Sequence, residues 1–222
     1  MITNYKNLPI GKYLQILAVT ENEPDENQRN PTILSILDGR SVPELENLPI
    51  LAFAGMMRSA AFLLTPPAPG KTRKTYVCGG FELRPVLDYK RITTAQYVDF
   101  QEVLKTEGDA PNVVEVLSCM LVPAGHDYCD GYDPSEVRAA IREHMNTEDA
   151  VSLYSFFFER LLRLTRRLAT YSTKALKRLQ RPGMEPMVRE ATAMLNRIPL
   201  PTAGDGLPML TRFRRLSATL GM

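Results

Sequence analysis

Apolar residues recur at three- and four-residue spacing through most of this chain, a period that predicts helices. Ile10, Tyr13, Leu14 and Leu17 share one face of a helix expected from about Pro9 to Val19, with Pro9 suited to its first turn. An acidic, polar loop is expected from Glu21 to Asn30, and after it an apolar helix from Pro31 to Leu37 that Gly39 ends in the left-handed conformation. Ser41 should open the next helix, because Ser41 and Glu44 have capping-box spacing and Pro43 pre-sets the first-turn φ. Pro49 restarts the chain into an apolar run, Ile50 to Leu64, interrupted by Arg58. The run is at the short limit for a membrane span, and an arginine within it would cost about 2.5–3.5 kcal/mol on insertion. It therefore reads as a buried core helix.

The pattern changes at Thr65-Pro66-Pro67-Ala68-Pro69-Gly70-Lys71, which cannot sustain a helix and reads as a domain boundary. Thr75–Cys78 and Phe81–Leu87 flank Gly79-Gly80, a two-residue hairpin signal. Pro85 places the second strand at an edge, so a small ribbon is expected. Helical periodicity then returns. Thr93 or Thr94 should cap a helix from Ala95 to Lys105 with Tyr97, Phe100 and Leu104 on one face, and a short apolar helix should span Asn112 to Leu121. Asp133 as N-cap with Pro134 and Glu136 announces a further helix.

The longest element is expected to start at Thr147 and run from Glu148 to Gln180. Val151, Tyr154, Phe158, Leu161 and Leu168 form its apolar stripe, and Arg160, Arg163, Arg167 and Lys174 lie mostly off it. Phe156, Phe157 and Phe158 cannot all face one side of a helix, so the start of this element should be apolar all round. A shorter helix from Pro186 to Ile198 precedes a proline-broken tail carrying Met209, Leu210, Phe213, Leu216 and Leu220, with Arg212, Arg214 and Arg215 between them. The fold class is thus mainly α: helical bundle-like units with one small β-hairpin inserted after a Pro-rich linker. The expected parts are an N-terminal helical unit at 1–65, a linker at 66–74, a hairpin and helical unit at 75–181, and a tail at 182–222.

Composition narrows the function classes. With 222 residues, 44% hydrophobic, 23% charged and a net charge of +2, the chain is neither a disordered sequence nor a strongly basic nucleic-acid binder. Cys78, Cys119 and Cys129 show no CxxC spacing, which points to a reducing cytoplasm. The apolar stretch before Val19 is too short for a secretory signal. His126-Asp127-Tyr128-Cys129-Asp130 holds metal-type side chains, but its spacing fits no zinc pattern and Gly125 and Gly131 frame it as a turn. Neither a nucleophile elbow nor a phosphate-binding glycine loop is present. No catalytic, cofactor-binding or metal residue is assigned, and the chain is not expected to be an enzyme.

The helix-stop-helix from Ile33 to Asn47 has an acidic second helix, Ser-Val-Pro-Glu-Leu-Glu-Asn, which a DNA duplex would repel. A better nucleic-acid candidate is the stretch from Glu159 to Arg181, with eight basic residues and one acid, although no aromatic is clearly placed among those basic residues to stack bases.

Three blocks resemble the tail assembly chaperones of tailed bacteriophages, especially the forms in phages and prophages of Bacteroides-type hosts. They are Tyr5–Tyr13, the Ile33–Pro49 module in its L-x-G-x-S-x-x-E-L form, and Thr93–Gln101 with Leu121–Gly125 and Gly131–Asp133 downstream. That resemblance implies a non-enzymatic, self-associating protein in the host cytoplasm that binds the tape-measure protein during tail assembly, with no cofactor and no membrane partner. The partner-binding residues then expected are Phe158, Leu161, Arg163, Arg167 and Leu168 on the long helix, and Leu210, Phe213 and Leu216 in the tail. Two other classes stay open: a virion structural protein of the neck or tail, and a nucleic-acid-binding regulator using the basic long helix.

Overall fold

A computed structural model describes residues 1–88, 91–105, 113–157 and 159–160. Residues 1–154 pack as one compact unit, so the boundary expected at Thr65–Lys71 falls inside it. The described chain is mainly helical, with a small three-stranded antiparallel sheet.

Helices α1 (Ile10–Asn22), α2 (Glu26–Asp38) and α3 (Val42–Glu46) follow one another with short connections. The acidic stretch expected as a loop is mostly helical. Asp25 is the N-cap of α2 and accepts from the Asn27 amide at 2.9 Å, which places Pro31 inside the helix and not at its start. The expected stop and restart are both present. Gly39 takes φ +87°, and the Ser41 amide donates to the Glu44 carboxylate at 2.7 Å. Tyr13 and Leu17 are buried as expected, whereas Leu14 is half-buried and Ile16 takes its place in the core.

Helix α4 (Ile50–Ser59) runs into a 3₁₀ turn, Ala60–Leu64, which buries Ala60 and Leu63. That end is pinned by Tyr5, whose ring meets Phe62 edge-on at 5.0 Å and Tyr13 at 5.6 Å, and whose hydroxyl donates to the Thr65 carbonyl at 2.9 Å.

Strands β1 (Tyr76–Cys78) and β2 (Phe81–Pro85) form the expected hairpin, with both turn glycines at positive φ. A third strand, β3 (Leu121–Pro123), pairs with β2 on its other side, so β2 is central and not at an edge. The ladder accommodates both prolines. Val86 donates to the Met120 carbonyl and Ala124 to the Glu82 carbonyl, so the amide positions of Pro85 and Pro123 alternate away from the β2–β3 seam. Pro85 also lies beyond the end of β1, where no carbonyl waits for an N–H.

Helix α5 (Thr94–Lys105) opens with a reciprocal cap between Thr93 and Gln96, each backbone amide donating to the other side chain at 3.1 Å. Gln96 is buried and its amide reaches the Cys119 carbonyl, while Tyr97 is exposed, so the α5 face expected from Tyr97 and Phe100 is rotated to Gln96 and Phe100. Helix α6 (Val113–Met120) buries six residues. Helix α7 (Pro134–His144) has the expected cap, with Asp133 accepting from the Ser135 amide at 2.8 Å.

A further helix, α8, runs from residue 147 through 157 among the described residues. Its N-cap is Asn146, one residue before the expected start: Asn146 and Asp149 exchange hydrogen bonds at 2.8 Å. Ala150 through Tyr154 are all buried, so the opening turns of α8 are enclosed on every side and carry no separate stripe. The chain start is tied here too, because Ile10 donates to the Met145 carbonyl and Thr147 to the Leu8 carbonyl, both at 2.8 Å. A Cβ on Gly11 would stand 2.6 Å from the Arg142 carbonyl oxygen, so α1 approaches α7 closely only because residue 11 is glycine.

The described residues from Ser155 onward belong to a second unit. There the Phe156 and Phe157 rings meet at 5.6 Å, and the Arg160 guanidinium lies 4.5 Å from the Phe156 ring centre, a cation–π contact.

Candidate interaction surface

Every residue from Ile50 to Met57 is nonpolar, yet no residue of α4 is buried. The run expected to be a core helix is instead a surface helix. Ile50 is 83% exposed and Leu51 78%, although burying each would stabilise the fold by about 1.5–3 kcal/mol. At 100° per residue, Phe53, Met56 and Met57 fall on one side of α4 and are half-buried. Leu51, Ala54, Gly55 and Arg58 fall on the other side, and Ile50, seven residues before Met57, lies at the border between the two. A Cβ added at Gly55 would meet nothing within 4 Å, so this outer face looks into open space.

The helix is nonetheless fixed at both ends. Pro49 starts it without a side-chain cap, and the 3₁₀ turn holds its far end through Leu63 and the Tyr5 cluster. An uncovered apolar face of this kind is a candidate interaction surface. Two methionines add adaptability, since an unbranched thioether repacks against varied surfaces. Met56 also anchors the start of α3, with its sulfur 3.4 Å from the Arg40 guanidinium.

Between α2, α3 and α4 lies a groove of about 300 Å³. Pro31, Leu45, Leu48, Ile50 and Phe53 make its apolar floor, and Glu26, Asn27, Asn30 and Glu46 make its polar rim. The basic residue nearest in sequence to that rim points inward: Arg29 is 3% exposed and pairs with Glu26 at 3.2 Å. The rim thus carries two carboxylates, that of Glu46 and that of Glu26, the latter paired with Arg29. Nearby, the Ser41 hydroxyl and amide hold the Glu44 carboxyl below its ordinary range, and the Arg40 guanidinium does the same for Asp38.

The remaining polar clusters are structural. His126 Nδ1 lies 3.1 Å from the Asp130 carbonyl oxygen, Cys129 takes φ +58°, and the Tyr132 hydroxyl accepts from the Cys129 amide, which together close the turn expected at Gly125–Gly131. The Tyr128 hydroxyl donates to Asp99 at 2.7 Å and so ties this turn to α5. Burial pushes the Cys78 and Cys119 thiols up to about 11, so both stay protonated at neutral pH and neither is a poised nucleophile. Among the described residues no group of three or more His, Cys, Asp and Glu is placed to hold a metal ion, and no helix is long and apolar enough to cross a membrane.

Phe158, Leu161, Arg163, Arg167, Leu168, Leu210, Phe213 and Leu216, the partner-binding residues expected from the sequence, lie outside the described residues. Sequence reasoning passed over Ile50 and Leu51 because the run around them was assigned to the core. One signal was available. Arg58 follows Ala54 by four residues and Leu51 by seven, so a charge shares their helix face, as it would on a face open to solvent. Neither a protein-family model, nor a curated protein, nor a solved structure matches the chain.

Proposed function

We propose that this chain is a non-enzymatic assembly chaperone of the tailed-phage type, which covers a helical stretch of a tape-measure protein with the outer face of α4. The observation that carries this reading is the fixed α4 helix, nonpolar from Ile50 to Met57 with none of its residues buried. A long helical client presents repeated apolar stripes, and a rigid helix face flanked by adaptable methionines suits such a stripe. Of the three sequence blocks that resemble the phage chaperones, the α2–α3 stop and restart includes α2, which packs against α4; the other two are the lead into α1 and the α5 cap with the β3 turn.

Co-expression with the tape-measure protein of the same phage or prophage tests the reading. The client should become soluble and co-purify with the chain, and the chain should be absent from purified virions. An insoluble client, or the chain found as a stoichiometric component of finished particles, would contradict it and favour a structural tail or neck role.

A further inference from the structure

We propose that the groove between α2, α3 and α4 is the docking site for this chain's own C-terminal segment, residues 208–222. The groove is lined by apolar Leu45, Leu48 and Phe53 and by the carboxylates of Glu46 and of Glu26, the latter shared with Arg29. The segment supplies the complement. Met209, Phe213, Leu216 and Leu220 recur at four-, three- and four-residue spacing, one stripe of a helix, while Arg212, Arg214 and Arg215 flank or oppose it with no acid in the segment.

Charge is divided along the chain in the same sense. Residues 1–154 hold 14 Lys and Arg against 21 Asp and Glu, a net of −7, and residues 155–222 hold 13 against 4, a net of +9. Four acids lie between Glu21 and Gln28, on the approach to the groove's α2 wall, against one base, Arg29, which pairs with Glu26. Opposite charges of this size steer the segment toward the groove, and the stripe gives it an apolar seat. Forty-seven residues separate Arg160 from Pro208, and tethering holds the segment at a local concentration above the roughly micromolar level at which a second copy would be met. The chain's own segment is therefore favoured over that of another copy. This inference concerns the chain alone and does not rest on the chaperone reading.

The test uses the full chain in a Cys129→Ser background. Asn27→Cys on the groove rim is combined with Ser217→Cys in the segment, and after mild oxidation the disulfide is mapped by mass spectrometry on a mixture of isotopically light and heavy protein. The expected result is a disulfide within single chains in most molecules, reduced at least tenfold when Phe213→Asp and Leu216→Asp are added. Replacing Asn27→Cys by Glu136→Cys, exposed on α7 and outside the groove, should abolish it. No disulfide at Asn27→Cys, equal yield at Glu136→Cys, or disulfides formed mainly between light and heavy chains would each overturn the proposal. Unchanged circular dichroism of every variant confirms that these outcomes report docking and not misfolding.

Discussion

Helices α4 and α6 are both short and apolar, yet α6 buries six of its eight residues and α4 none of its ten. The difference lies in their surroundings. Helix α6 sits against α5 and α7 and leads directly into β3, so it has neighbours on every side. Helix α4 has the 3₁₀ turn behind it and the groove wall of α2 beside it, and its outer face has no neighbour among the described residues. An apolar sequence thus marks a surface for burial without specifying what buries it. In α6 this unit supplies the cover; on the outer face of α4 no described residue does.

Truncation should separate the two helices most clearly. Leu117→Ala in α6, at a fully buried position, is expected to destabilise the fold by about 2–5 kcal/mol in denaturant titration. Leu51→Ala in α4 should change stability by no more than about 0.5 kcal/mol. Equal losses would mean that α4 is a core helix after all.

A smaller effect is expected at the hairpin that packs beside α7. Gly79 has φ +53°, and a Cβ there would stand 2.7 Å from the His144 ring. Gly79→Ala should therefore cost about 1–3 kcal/mol. Removal of the α8 cap comes next, with Asn146→Ala expected to lower stability by about 1 kcal/mol, read as a lower melting temperature.

Thiol chemistry sharpens the same contrast between enclosed and open regions. Cys78 and Cys119 are buried and Cys129 is exposed, so a thiol reagent at neutral pH should modify one cysteine in the native protein and three after unfolding. Because burial raises the Cys78 and Cys119 thiols to about 11, their native environment favours the protonated form. Their stabilising contribution is full below the unfolded thiol value of about 8.5 and is lost as pH rises from there through about 11. Alkaline titration of the melting temperature should show that decline, and Cys119→Ala should flatten it.

Much of the local structure was legible because it is written in short-range chemistry. Gly39, the Ser41–Glu44 pair, the Gly79-Gly80 turn and the Asp133 cap each act within a few residues, and each appears where its spacing placed it. What failed depended on partners distant in sequence. Strand β3 is three residues long, too short for a period to register, and exists because Leu121–Pro123 meets β2. Gln96 is buried because the Cys119 carbonyl is there to receive its amide. The α4 surface failed for the same reason: hydrophobicity was visible, but the missing neighbour was not. Pro31 is the exception: it was read as a helix start although Asp25, accepting from the Asn27 amide two residues on, is a local N-cap signal like Asp133.

In the proposed function the outer face of α4 receives a client. Leu51→Asp with Ala54→Asp, both outside the groove lining, compared with the unaltered chain, tests it most directly through the fraction of tape-measure protein that stays soluble and co-purifies on co-expression. The doubly substituted chain is expected to keep its melting temperature and to lose most of the bound client. Client binding equal to that of the unaltered chain would contradict it.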